Sequence, residues 1–235
     1  MTRILMLTLR EQKTDTGVFS AALDTDTHVT QRAVEVAPDT TSSAHDWALA
    51  DLAILAAGQE AESEGYDALC VGEIGDYGVG ALRSVLSIPV IGAGRSAMLH
   101  ALTLGNRFSI LVPASRYYRV KKLVGDYGFD RQCASVRPLP VGASDNEEAA
   151  FPHILTEAQA CLNEDGADVL CLDTASPASA SRLSTDLGVP VINPQSLSLK
   201  LAESFLGLHL NHSRVAYPEP QVRKQALITA IAKAR

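Results

Sequence analysis

The feature that most restricts the fold of this chain is an internal repeat. Residues 65–91 (GYDALCVGEIGDYGVGALRSVLSIPVI) align without a gap with residues 166–192 (GADVLCLDTASPASASRLSTDLGVPVI), and nine of the 27 positions are identical. Each copy reads as a strand, a helix and a second strand, so the match favours duplication of a whole structural unit. The repeat therefore predicts two similar lobes that face each other, an arrangement that places a ligand cleft between them.

Short apolar runs alternate with longer helical patterns along the whole chain. The predicted strands are 3–9, 68–72, 89–92, 108–113, 169–173 and 190–193, with a weaker one at 136–141. The predicted helices are 45–64, 78–86, 95–104, 116–126, 147–163, 178–187, 196–206 and 219–234. Apolar strands with little alternation, each followed by a helix, are typical of parallel sheets covered on both faces. The predicted fold class is α/β.

Composition excludes several classes of partner. The net charge is −7 and no basic run occurs, so nucleic acid is not expected to bind. No stretch approaches the roughly 20 apolar residues of a membrane span, and the apolar start at residues 1–7 is too short for a signal peptide. The four cysteines show neither CxxC nor zinc-site spacing, and Cys70 and Cys171 lie in apolar runs. These features predict a cytoplasmic protein.

One carboxylate stands at an unusual place. Glu73 follows the apolar strand 68–72, at the start of a glycine-rich turn, between Val71 and Ile74. At the offset of the repeat Glu73 falls on Thr174, so both residues are expected at the carboxyl ends of parallel strands, where open α/β sheets bind ligands. Glu73 and Thr174 are therefore predicted to face one cleft. A structural role stays open, in which Glu73 caps the following helix or pairs with Arg95.

The turns after the predicted strands provide groups that bind anions. Three turns, 8–10, 113–116 and 174–176, offer hydroxyls and backbone N–H groups at helix starts. The predicted substrate-binding residues are Thr8, Arg10, Gly75, Ser115, Arg116, Ala175 and Ser176. The two arginines could clamp a carboxylate in a bidentate way, although arginines in surface loops are more often solvated, which favours Ser115 and Thr174.

Five stretches together resemble the aspartate/glutamate/hydantoin racemase superfamily, and most closely its hydantoin racemase branch. They are EGYDALCVGEIGDYGVGALRSVLSIPVIGAGRSAM, LGNRFSILVPAS, DGADVLCLDTASP, DLGVPVINPQSLSLKLAESFLGL and SRVAYPEP. The resemblance implies two pseudo-symmetric flavodoxin-like lobes, an inter-lobe cleft and no cofactor, pyridoxal phosphate included. The predicted lobes are residues 1–97 with roughly 207–235, and residues 98–206. The resemblance also implies two catalytic cysteines, one in each lobe, at the positions of Glu73 and Thr174.

This chain departs from that pattern at both catalytic positions, since Cys70 and Cys171 each lie three residues earlier. A glutamate can act as a base, whereas a threonine hydroxyl can only donate a hydrogen bond, so the pair suits one-sided proton transfer. Two-sided racemisation would need another acid, for which Asp173 and Asp76 are near enough in sequence.

The predicted function is that of a racemase-like isomerase acting at a carbon α to a carboxyl or amide carbonyl, with Glu73 as base. The expected substrate is a small carboxylate or a hydantoin-like molecule, and the chain is expected to form a homo-oligomer. The alternatives are a one-base decarboxylase or lyase on the same scaffold, and a non-catalytic protein that binds small carboxylates.

Overall fold

Two parallel four-stranded sheets form the frame of the protein. The computed structural model describes residues 1–11, 22–139, 147–173 and 176–233. The first sheet has the order β2-β1-β3-β4 and consists of β1 (Thr2–Thr8), β2 (Thr27–Ala33), β3 (Ala68–Val71) and β4 (Val90–Gly92). The second has the order β6-β5-β7-β8 and consists of β5 (Phe108–Pro113), β6 (Cys133–Leu139), β7 (Val169–Leu172) and β8 (Val191–Ile192). The α/β class with parallel sheets is thus confirmed.

Helices follow most of the strands and cover the sheets. They are α1 (Ala44–Gly58), α2 (Val79–Val85), α3 (Ala93–Leu104), α4 (Tyr117–Asp126), α5 (Glu147–Asn163), α6 (Pro177–Leu187), α7 (Pro194–Gly207) and α8 (Gln225–Lys233). A 3₁₀ turn, Ala114–Arg116, precedes α4. In the described part of the chain, no helix combines the length and apolar character needed to cross a membrane.

The two copies of the repeat form equivalent elements. Strands β3 and β7 occupy matching positions, and Gly65 and Gly166, which precede them, both have left-handed backbones with φ of 81° and 72°. The Arg3 guanidinium donates to the carbonyl of Gly65 and the Arg107 guanidinium to that of Gly166. Glycine is suited to both positions because it adopts positive φ without a steric penalty. The repeat in the sequence is therefore also a repeat in backbone geometry.

Each lobe is covered in part by a helix that follows the other lobe's last strand. Helix α3 follows β4 of the first sheet, but its Met98 packs with Phe108 of the second sheet. Helix α7 follows β8 of the second sheet, but its Leu199 packs with Met6 of the first. A division placed before Pro194 would keep α7 with the sheet that it covers, whereas the predicted division at residue 207 separates them. The domain boundaries stay a prediction.

Several predicted elements differ from the observed ones at their ends. Strand β2 was not among the predicted strands, and the weak strand predicted at 136–141 begins at Cys133 and ends at Leu139. The predicted helix 45–64 ends at Gly58, and the predicted helix 219–234 begins at Gln225. Helix α5 has the predicted bounds, 147–163.

Candidate functional site

Glu73 lies at the carboxyl end of the first sheet and is almost completely buried. The N–H of Gly72 donates to the carbonyl of Leu7 and continues the β1–β3 ladder for one residue beyond β3, so that Glu73 begins the turn. Its side chain is 1% exposed, and Oε1 accepts a hydrogen bond from the N–H of Leu9 at 2.6 Å. Oε2 is also buried and has no hydrogen-bond partner among the described residues. One oxygen of the carboxyl group is thus fixed and the other is available.

The charges that act on this carboxyl group belong to the second lobe. Arg116, in the 3₁₀ turn after β5, donates from Nη1 to Oδ2 of Asp173 at 2.7 Å, and the two side chains are 22% and 4% exposed. Burial raises the pKa of Glu73, the Arg116 guanidinium lowers it in part, and the Asp173 carboxylate raises it again. The carboxyl ends of the two sheets therefore form one electrostatic unit.

Other residues occupy the structural roles considered for Glu73. Gly78, the N-cap of helix α2, donates its N–H to Asp51 at 2.9 Å. Asp76 accepts from the N–H groups of Gly94 and Arg95, both at 2.8 Å, and so caps helix α3. The guanidinium of Arg95 lies 5.4 Å from the ring centre of Tyr127, and within the described residues no ion pair joins it to Glu73. Glu73 is therefore neither a helix cap nor a partner of Arg95.

The Asp76 carboxyl group is fully committed to this cap. It also accepts from the hydroxyl of Tyr127 at 2.8 Å, and its backbone has a φ of 47°, which is uncommon for a residue other than glycine. Three hydrogen-bond donors and a backbone with positive φ indicate that the Asp76 carboxylate has a structural role. Asp76 is thus poorly placed to supply the additional acid considered from the sequence.

The other predicted site residues differ in their surroundings. Thr8 is buried, and its hydroxyl has no partner among the described residues, whereas Arg10 is exposed and donates to the carbonyl of Asp39. The carbonyl of Ser115 accepts from the hydroxyl of Thr41 at 3.2 Å. Ser176 is half-buried and is the N-cap residue of α6. Thr174 and Ala175 lie outside the described residues, so their predicted roles stay predictions.

Arg119 and Tyr77 contribute to this region, but no motif or repeat in the sequence pointed to either residue. The Arg119 guanidinium donates from Nε to the carbonyl of Gly75 at 2.9 Å and pairs with Asp51 at 3.3 Å, so it ties the second lobe to the first. Tyr77 is fully buried, and a Cβ added to Gly75 would lie 2.5 Å from its ring. Gly75 is therefore needed for the close approach of Tyr77, which gives this predicted binding residue a packing role.

The described residues contain no group of three or more histidine, cysteine, aspartate or glutamate side chains placed to hold a metal ion. The groups that meet at Glu73 are instead a carboxyl group, an arginine–aspartate pair, an aromatic residue and backbone N–H groups. Such a set can move a proton and stabilise charge on an oxygen atom.

Two parallel sheets with equivalent strand orders, linked by the contacts of Arg119 with Gly75 and Asp51, define a two-lobed class of α/β proteins. The chain belongs to the Asp/Glu/hydantoin racemase family, whose model matches residues 17–202. It is 33% identical over 206 residues to a hydantoin racemase from Rhizobium meliloti, covering 85% of this chain and 86% of that protein. It is 30% identical over 207 residues to a hydantoin racemase from Pseudomonas sp. (strain NS671), covering 85% and 83%.

A solved structure extends this similarity to the fold. The allantoin racemase from Klebsiella pneumoniae superposes with a TM-score of 0.85 and 25% identity, covering 95% of both chains. The family and its hydantoin racemase branch are therefore confirmed, together with the two flavodoxin-like lobes. The assignment of the two catalytic positions to Glu73 and Thr174 stays a prediction.

Proposed function

We propose that the protein is a cofactor-independent isomerase that transfers a proton at a carbon α to a carbonyl group, with Glu73 as the base. The observation that carries the proposal is the state of the Glu73 carboxyl group. It is buried at a strand end, has one oxygen fixed by Leu9 and the other without a partner in the described part of the chain, and has a raised pKa. A base whose pKa is raised above that of an ordinary glutamate is better matched to the removal of a weakly acidic proton.

The fixed and free oxygens have different tasks in this proposal. The hydrogen bond from Leu9 to Oε1 orients the carboxyl group. Oε2 is the atom that takes the proton from the α-carbon and then returns a proton to the planar intermediate, so that Glu73 is ionised again at the end of the cycle. Thr174 is proposed as the opposing hydrogen-bond donor to the developing oxyanion. The hydrogen bonds of the residues just before Glu73 and Thr174 support this proposal. The N–H of Gly72 donates to the carbonyl of Leu7 and the N–H of Asp173 to the equivalent carbonyl of Leu111, each at 2.9 Å.

The charges of the site favour a neutral substrate. Arg116 is paired with Asp173, and Arg119 is paired with Asp51, so neither guanidinium is without a carboxylate partner. When Glu73 is ionised, the group formed with Arg116 and Asp173 carries a net charge of −1. A carboxylate substrate would add a second uncompensated charge to a buried site, which is costly. We therefore propose a hydantoin-like cyclic amide as the substrate, the chemistry named for the two hydantoin racemases above.

Incorporation of deuterium from solvent tests this function. In D₂O, the wild-type protein is expected to exchange the α-proton of single-enantiomer 5-substituted hydantoins for deuterium. The optical rotation, recorded in parallel, distinguishes exchange on one face, which retains it, from racemisation, which abolishes it. Glu73→Gln keeps the shape and removes the basicity, so the exchange rate should fall by about 10² to 10⁴ with little change in KM. Because the ionised form is the base, the wild-type rate should rise with pH through a midpoint above the ordinary pKa of glutamate.

Glu64→Gln provides the matched control, since it makes the same chemical change in an exposed carboxylate that pairs with Arg32. It should leave the exchange rate unchanged. If Glu73→Gln retains full exchange and only lowers the melting temperature, Glu73 is a structural residue. If the wild-type protein binds hydantoins or small carboxylates without exchange, the protein is a binding protein of the same fold.

A further inference from the structure

One guanidinium serves two carboxyl groups that come from opposite lobes. Arg116 pairs directly with Asp173, which follows β7, and its charge also acts on Glu73, which follows β3. The two carboxyl groups are not equivalent, because Asp173 has an oxygen 2.7 Å from the guanidinium, whereas the fixed oxygen of Glu73 is held by a neutral backbone N–H. Glu73 and Asp173 are both at least 95% buried, so the solvent screens the charge interactions of these two carboxyl groups only weakly.

We propose that Arg116 is a positioning residue that holds Asp173 as a paired carboxylate and thereby leaves Glu73 as the carboxyl group that exchanges protons. This inference rests on the proposed function. It assigns Arg116 to the charge balance of the site, where the sequence suggested a substrate clamp. It also removes Asp173 from the candidates for the second acid, because its carboxylate is already engaged with the Arg116 guanidinium in a buried ion pair.

Four groups act on the Glu73 carboxyl group, and they come from four different strand-end turns. The N–H of Leu9 after β1 contacts it directly, and Tyr77 in the turn after β3, Arg116 in the 3₁₀ turn after β5 and Asp173 after β7 act on it through their charge or polarity. Of the two charged side chains, Arg116 has the larger effect on the pKa of Glu73, and the two effects have opposite signs. Removal of each charge should therefore move that pKa in opposite directions, which a purely structural role does not predict.

The test is a carboxyl ¹³C NMR titration of the unliganded protein labelled at glutamate Cδ. The Glu73 resonance is identified as the signal that Glu73→Gln removes. Relative to wild type, Arg116→Gln should raise the titration midpoint of Glu73 by about one pH unit, because a cation near a carboxylate lowers its pKa by roughly 1–3 units. Asp173→Asn should lower the midpoint, and Arg116→Lys, which keeps the charge, should restore it to near the wild-type value.

Arg182→Gln is the control, since it removes a second-lobe arginine that pairs with the exposed Glu148 and lies in no predicted site, so it should leave the midpoint unchanged. Midpoints that move in the same direction in Arg116→Gln and Asp173→Asn, or that do not move, overturn the proposal. If Arg116→Gln does not fold, Asp173→Asn and Arg116→Lys still decide between these outcomes.

The titration needs no substrate, so it also separates two kinds of failure. Absence of hydantoin exchange by the wild-type protein would reject the proposed function, whereas the midpoints would still test the role of Arg116. With an active enzyme, the pH midpoint of deuterium exchange should shift in each variant with the same sign as the NMR midpoint. A uniform loss of rate without a shift would assign Arg116 to structure alone.

Discussion

The cysteines nearest to the proposed base are placed where they cannot react. Cys70 and Cys171 are fully buried in β3 and β7, and Sγ of Cys70 donates to the carbonyl of Ser198 at 3.4 Å. Burial raises the pKa of the Cys70 thiol to about 12 and also raises that of Cys171. Since the thiolate is the reactive form, neither residue can serve as a proton-transferring thiol near neutral pH.

Thiol alkylation should therefore leave the hydantoin exchange rate of the native protein essentially unchanged. The measurement combines iodoacetamide treatment with mass spectrometry, to map which thiols are modified at each time point. The same treatment in concentrated urea should modify all four cysteines of the chain, which controls for reagent activity. Rapid loss of activity that tracks modification of Cys70 or Cys171 would place the catalytic positions three residues earlier than proposed.

The individual residues differ in how far the sequence could predict them. Glu73 stands out because a charged residue between Val71 and Ile74 is costly to bury without a function or a partner. Arg119 could not be found in this way, since its contact with Gly75 joins residues 44 positions apart and depends on how the lobes meet. The Arg116–Asp173 pair, 57 positions apart, is hidden for the same reason.

At the scale of elements, the turn from β4 into α3 is held by a close backbone approach. A Cβ added to Gly94 would lie 2.1 Å from the carbonyl oxygen of Ile74 and 3.0 Å from the carboxyl group of Asp76. Gly94 thus lets the turn that carries Glu73 rest directly on the start of α3. The sequence predicts a strand that ends at residue 92 and a helix that starts at residue 95, but it could not show that the turn after β3 packs against this junction.

Gly94→Ala should destabilise the protein by about 1–3 kcal/mol, the usual cost of overpacking a site whose neighbour is backbone. Gly80→Ala is the matched control, because nothing lies within 4 Å of the added Cβ in this exposed position of α2. Alanine is the better helix former, so Gly80→Ala should stabilise by roughly 0.5–1 kcal/mol. Urea unfolding at constant pH measures both changes. A neutral or stabilising Gly94→Ala would contradict the close approach.

Strand β2 shows why some elements escape sequence analysis. Its sequence, THVTQRA, is mostly polar, and among the described strands it pairs with β1 alone, at the edge of the first sheet. An edge strand needs little apolar surface, so it lacks the run of apolar residues that identified β7, whose four residues are all buried. Apolar periodicity therefore finds central strands and misses polar edge strands.

On the scale of the whole molecule, the two lobes depend on each other for part of their cores. Helices α3 and α7 are exchanged between the lobes, and Ile74 of the first lobe packs within the apolar cluster around Phe108 in the second. The internal repeat predicted two similar lobes, but the exchange could not be predicted, because both helices have apolar faces that suit either sheet. Shared cores of this kind couple the unfolding of the lobes.

The repeat supplies a matched pair of substitutions that tests this coupling. Leu82 in α2 and Leu183 in α6 occupy equivalent positions, and both are completely buried in the cores of different lobes. Leu82→Ala and Leu183→Ala should each destabilise the protein by about 2–5 kcal/mol through the lost apolar contacts and the cavity left behind. Because the lobes share core helices, each variant should shift one urea transition to lower concentration with an unchanged slope. Far-UV circular dichroism and the fluorescence of Trp47, the single tryptophan of the chain, should report the same midpoint. Two separate steps in either variant, with only one of them shifted, would show that the lobes unfold independently despite their exchanged helices.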